Sequence, residues 1–161
     1  MLNPPHLTPP SGYFHSPLGV IAVHDDGEFV MALDIAPQHC SKPRPSRLTC
    51  ETLRQLRAYF SQRAFHFDLP FKLAGTPYQQ KVWLALSCIP YGETRRYGEL
   101  AQQLDSSPRA IGGACRANPL PIIIPCHRVI ARNGIGGYSG ATEGEVLDVK
   151  YQLLHHEQSR G

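Results

Sequence analysis

No Cys-x-x-Cys pair occurs in the 161-residue sequence, although it holds five cysteines, Cys40, Cys50, Cys88, Cys115 and Cys126. That removes the usual zinc-knuckle and dithiol-redox patterns. No charged head followed by an apolar core opens the chain, so no signal peptide is expected. No apolar run approaches the length needed to span a bilayer. Together these absences predict a soluble cytoplasmic protein with reduced thiols, no membrane partner, no metal and no disulfide framework. Charged residues are also sparse, at 18% against 42% hydrophobic, which excludes a disordered polyelectrolyte.

What charge there is lies unevenly. The net charge of the chain is only +3, yet residues 77–139 carry seven Lys/Arg against three Asp/Glu. All but one of those cations are arginines. Such a patch suits a phosphate-bearing partner, or is an ordinary solvated basic face.

The N-terminal part reads as a small sheet and one helix. Residues 1–11 hold four prolines and predict an irregular lead. The apolar runs Val20–Val23 and Phe29–Ile35 flank Asp25-Asp26-Gly27, a hairpin signal. Leu53, Leu56, Tyr59 and Phe60 recur at helical spacing within Leu48–Arg63. Residues 64–72 alternate, with Phe65, Phe67 and Leu69 on one side, and predict a further strand. A change of composition and charge at residues 73–77 marks a boundary, giving modules 1–74 and 75–161.

Helices dominate the second module. Thr76-Pro77 supplies a capping hydroxyl and a proline at the first helical position. Short helices over Tyr97–Leu104 and Pro108–Ala117, joined by Asp105-Ser106-Ser107, form either a helix-turn-helix or a plain helical hairpin. The second of them carries Gly112 and Gly113 mid-helix, at a cost of roughly 1 kcal/mol each. Glycine there serves close approach, either of a DNA groove flanked by Arg109 and Arg116 or of another helix.

An apolar run, Ile122-Ile123-Ile124, leads into Pro125-Cys126-His127-Arg128-Val129. Thiolate is the nucleophilic form of cysteine, and an adjacent imidazole is a common way to generate it. In most Cys-His pairs taken alone, the cysteine is only a packed thiol.

The run RAIGGACRANPLPIIIPCHRV (residues 109–129) strongly resembles the O6-alkylguanine-DNA alkyltransferases, also called methylated-DNA–protein-cysteine methyltransferases. So do residues 75–101, the loop IGGYSG (135–140) and the segment KYQLLHHE (150–157). The turn Ser16-Pro17-Leu18-Gly19 fits the family's N-terminal hairpin. The resemblance implies an α+β fold, with a ribonuclease H-like module followed by a helix-turn-helix module. It implies direct, single-use (suicide) transfer of the alkyl group of O6-methylguanine, and of O4-methylthymine, to Cys126. By the same resemblance His127 takes the thiol proton through a water molecule, Glu157 orients the imidazole and Tyr97 assists the leaving base. Pro121, Val129, Tyr138 and Ser139 would form the base pocket, with the carbonyls of Cys126 and Val129 reading the guanine amine. Arg109 would fill the space left by a flipped base, and Gly112, Gly113 and Arg116 would meet the minor groove. Asn118 would tie the backbone between helix and nucleophile. The implied partner is double-stranded alkylated DNA, bound by a monomer without a cofactor.

Two departures stand out. The turn between Leu104 and Arg109 is about two residues shorter than in many members. Residues 141–149 are an acidic insertion, expected to lengthen a loop beside the pocket. Cys40, Cys50, Cys88 and Cys115 are expected to be packing residues. A lesion sensor lacking the acceptor thiol is disfavoured by Cys126, and a major-groove regulator by the two glycines.

Overall fold

The computed structural model describes residues 9–136 and 145–159. Three strands, β1 (Gly12–Ser16), β2 (Gly19–Asp25) and β3 (Val30–Ile35), form an antiparallel sheet in the order β1-β2-β3. The two predicted turns connect them. Gly19 and Gly27 have φ of 99° and 91°, a backbone that side chains rarely adopt. Helix α1 (Arg47–Ser61) packs on this sheet. Its start is pinned by Asp25 at the end of β2, whose two carboxylate oxygens accept from Ser46 Oγ and Thr49 Oγ1, both at 2.6 Å.

Residues 64–70 form no strand, contrary to the alternation. Contact with β3 is limited to a single parallel bridge between Phe71 and Val30, in which the Val30 amide donates to the Pro70 carbonyl at 2.8 Å and the Lys72 amide donates to the Val30 carbonyl at 3.2 Å. The physical reason lies in two side chains. Gln55 takes both backbone groups of Asp68, at 2.9 and 2.8 Å, and Pro70 has no N–H to donate. The aromatic alternation still packs Phe65 and Phe67 against the core, with Leu69 buried, but without a ladder.

The second half contains α2 (Pro77–Ser87), β4 (Arg95–Arg96), α3 (Tyr97–Gln103), α4 (Pro108–Arg116), β5 (Val129–Ile130) and α5 (Glu145–Ser159). The capping signals hold. Thr76 and Gln79 cap each other reciprocally at the start of α2, and Ser107 Oγ accepts the Ala110 amide at the start of α4. Trp83 is buried on α2 and donates its indole N–H to the Ala114 carbonyl of α4 at 2.8 Å. A Cβ added to Gly75 would lie 2.5 Å from the Trp83 ring, so that glycine makes room for the indole. β4 and β5 pair in parallel, joining the strand before α3 to the residues just after Cys126.

Helix α5 begins at Glu145, so residues 145–149 of the acidic insertion belong to this helix, while residues 141–144 lie outside the described residues. Cys115 is buried as expected. Cys40, Cys50 and Cys88 are exposed, which corrects their assignment to packing. Among the described residues no helix is long and apolar enough to cross a membrane, and no cluster of His, Cys, Asp or Glu suits a metal ion.

Candidate active site

Cys126 and His127 sit in a 3-10 turn, Cys126–Arg128, reached by an unusual backbone path. Asn118, just past α4, clasps that path: its Nδ2 donates to the Ile124 carbonyl at 2.8 Å, and its Oδ1 accepts the Leu120 amide at 2.9 Å. Between them Ile122 has a φ of 75°, costly for a β-branched residue. Pro121 bridges to Ile124 and is buried. The Cys126 amide donates to Ile124 at 2.8 Å. The Cys126 thiol is therefore fixed by the backbone that leads to it, and only 4% of its surface is exposed.

His127 is fully buried. Its Nε2 lies 2.7 Å from Glu157 Oε1, while Nδ1 has no protein partner among the described residues. An Nε2–H donated to the carboxylate leaves the Nδ1 lone pair as the acceptor for a proton. Burial holds the imidazole below its ordinary pKa, opposed by the Glu157 hydrogen bond and charge.

Glu157, 1% exposed, is the centre of the array. Oε1 accepts from His127, from Tyr59 Oη at 2.7 Å and from Arg128 Nη2 at 2.9 Å. Oε2 accepts from Arg128 Nε at 2.9 Å and the Gly92 amide at 3.3 Å. Burial alone would raise its pKa, but the hydrogen bonds and charges of His127 and Arg128 win and hold it well below the usual carboxylate range. The remaining arm of Arg128, Nη1, donates to the Ile89 carbonyl at 2.6 Å.

Tyr97 is the first residue of α3 and is half-buried. Burial raises its pKa, with the neighbouring Cys115 and Cys126 thiols adding to the effect, so the phenol stays protonated. Gly136, at φ 78°, lies against the ring: a Cβ there would be 3.3 Å from Tyr97 Cε2. Above the ring, 5.5 Å from its centroid, is the ammonium of Lys150. Lys150 is fully buried and donates to the Val129 carbonyl at 2.6 Å. Burial pushes its pKa down to about 8. The two carbonyls expected to read a guanine amine already accept one bond each, Val129 from Lys150 and Cys126 from the Val129 amide. A carbonyl oxygen has a second lone pair for a ligand.

On α4, Arg109, Gly112, Gly113 and Arg116 are spaced i, i+3, i+4 and i+7, which places them on one helix face. Arg109 and Arg116 are exposed, whereas Ile111, Ala114 and Cys115 of the same helix are buried. Apart from the adjoining residues and the backbone of α4 itself, no atom of the described residues lies within 4 Å of a Cβ added to Gly112 or Gly113. Among the described residues, no helix packs closely enough to account for these glycines. Tyr138 and Ser139 lie outside the described residues.

Three participants escaped sequence reasoning in these roles: Arg128, Tyr59 and Lys150. Lys150, Leu153, Leu154 and Glu157 form one buried stripe of α5 at i, i+3, i+4 and i+7. Two charged residues on an otherwise apolar stripe were the available signal.

The fold and site are those of a buried free thiol set beside a helix-turn-helix. Residues 77–159 match the family model described as the DNA-binding domain of 6-O-methylguanine DNA methyltransferase. The methylated-DNA–protein-cysteine methyltransferase of Mycobacterium leprae is 41% identical over 151 residues, covering 89% of this chain and 88% of that protein. The Mycobacterium bovis protein of the same name is 48% identical over 109 residues, 66% of this chain but only 63% of the relative's length. The crystal structure of Mycobacterium tuberculosis OGT in complex with DNA superposes with a TM-score of 0.79 at 38% identity, covering 92% of each chain. The chain belongs to the methylated-DNA–protein-cysteine methyltransferase family.

Proposed function

We propose that this protein repairs DNA by accepting the alkyl group of O6-methylguanine, and of O4-methylthymine, on Cys126. The observation that carries the reading is the commitment of His127 Nε2 to Glu157, which leaves Nδ1 as the base for the adjoining thiol. The thiol proton passes to His127, and the resulting thiolate attacks the alkyl carbon in line. The new S–C bond forms as the C–O bond breaks, and the electron pair departs with the guanine. Tyr97, held protonated, gives a hydrogen bond or proton to the purine as that charge develops. No cofactor is consumed, because the lesion is itself the donor. A thioether is not displaced by water or ordinary thiols, so each molecule acts once.

A base stacked in a duplex cannot reach a sulfur this deeply buried, so the nucleotide must rotate out. The exposed α4 stripe suits a minor-groove contact, with Gly112 and Gly113 admitting the sugar-phosphate walls, Arg109 occupying the vacated stack and Arg116 near the backbone. Pro121, Val129, Tyr138 and Ser139 are assigned to the base pocket and Asn118 to the hinge. Residues 1–74 and 75–161 are read as two modules of a monomeric, cytoplasmic protein.

The test is mass spectrometry after incubation with a duplex containing one O6-methylguanine. One added methyl group on Cys126, absent in Cys126→Ser, is expected. Binding of that duplex without a mass gain overturns the reading.

A further inference from the structure

The hydroxyl of Tyr59 is a participant for which the transfer chemistry gives no role. Tyr59 belongs to α1, 98 residues from Glu157, and is fully buried. Its O–H donates to Oε1, the same oxygen that faces His127 Nε2, at the same 2.7 Å. Its backbone carbonyl is 2.9 Å from His156 Nε2, which ties the main chain at Tyr59 to α5 at a second point. The other groups on the carboxylate are the two Arg128 nitrogens and the Gly92 amide.

We propose that Tyr59 is a positioning residue that restrains Cys126, because its hydroxyl occupies charge on Glu157 Oε1 that would otherwise stabilise a protonated His127. The physical argument is one of competition. When the thiol gives its proton to Nδ1, the imidazole becomes a cation, and its main counter-charge is Oε1. A second donor on that oxygen withdraws electron density and weakens its hold on the imidazolium. The resting pair is displaced toward neutral thiol and neutral imidazole, and the proton stays on sulfur. For a nucleophile used once, the effect is protective, since stray electrophiles meet thiol and not thiolate. The role rests on the proposed alkyl transfer for its purpose, but its chemistry concerns only the thiol's protonation.

The prediction has an unusual sign: loss of a hydrogen bond from the catalytic array raises reactivity. Tyr59→Phe keeps the ring and leaves Glu157 four of its five donors. Alkylation of Cys126 by iodoacetamide at neutral pH, followed by peptide mass mapping, should accelerate by at least about threefold in this variant. Buried Cys115 serves as the internal control for folding, since it must stay unlabelled. Replacing Tyr59 by a ring-fluorinated tyrosine makes the same hydroxyl a stronger donor and should slow labelling below the parent rate. This second variant carries the test if Tyr59→Phe labels at Cys115. Opposite shifts support the inference. Unchanged or slower labelling in a folded Tyr59→Phe, or unchanged or faster labelling in the fluorinated protein, overturns it. Methyl uptake from O6-methylguanine duplex by the parent is measured in parallel: its absence would overturn the repair reading and leave the labelling comparison intact.

Discussion

Arg128 grips Glu157 with two guanidinium nitrogens, Nε on Oε2 and Nη2 on Oε1, each at 2.9 Å. Both side chains are buried, so each is the other's compensation for leaving water. Removing the charge of Glu157 strands that of Arg128. Glu157→Gln is expected to lower stability by about 3–5 kcal/mol at neutral pH, read by denaturant unfolding. Methyl uptake should fall on the order of 100-fold or more, because the imidazole loses its orienting anion.

Acid titration follows from the same carboxylate. Its folded pKa lies below the ordinary value of 4.5, so the unfolded chain binds the proton more readily. The stability it confers is complete above pH 4.5 and is lost as pH falls below that value. Glu157→Gln should remove this part of the acid slope. Parallel stability curves for parent and variant between pH 5 and 3 would contradict the assignment.

Lys150 gives the opposite end of the pH scale. It titrates near 8 in the folded protein against an ordinary 10.5, so between those values the unfolded chain holds more protons. Stability contributed at this site therefore rises with pH across that window. Compared with Lys150→Met, the parent should gain up to about 3 kcal/mol between pH 7.5 and 10.5. A constant difference across the range would show that Lys150 is not shifted.

Gly112 and Gly113 separate stability from binding. Nothing in the described structure obstructs a methyl group at either position. Alanine at each should stabilise the free protein by roughly 1 kcal/mol through helix propensity. The same change should weaken duplex binding, measured by fluorescence anisotropy. A double variant that is more stable and binds DNA as well as the parent would show that these glycines do not face the groove.

Arg109 distinguishes flipping from chemistry. Arg109→Ala should slow methyl uptake from duplex by about tenfold or more, since unstacking loses its compensation. Uptake from the free modified base, which needs no flipping, should be unchanged. Equal losses on both substrates would place Arg109 in the reaction itself.

Local signals in the sequence proved dependable where the physics is local. Thr76-Pro77 and Ser107-Pro108 cap their helices as expected, and the hairpin turns fall at Gly19 and Gly27. Cys126 and His127 stand out as candidates in the sequence because they are adjacent and lie in a dense motif. Glu157 was not readable from composition, because a carboxylate near the end of a helix is solvated unless another element covers it. Here α1 and the Cys126 turn do so, from 98 and 30 residues away. Residues 64–72 misled for a related reason. Their apolar alternation is real, but Gln55 had already claimed the backbone groups of Asp68.

The position of Glu157 within α5 also bears on how the protein is made. Synthesis runs from residue 126 to residue 157 before the carboxylate exists, and the carboxylate works only once α5 has docked against α1. A polypeptide cut short by the last turns of that helix would carry Cys126 and His127 with no counter-charge for the imidazolium. The imidazole and its counter-charge therefore meet only when the closing helix is in place.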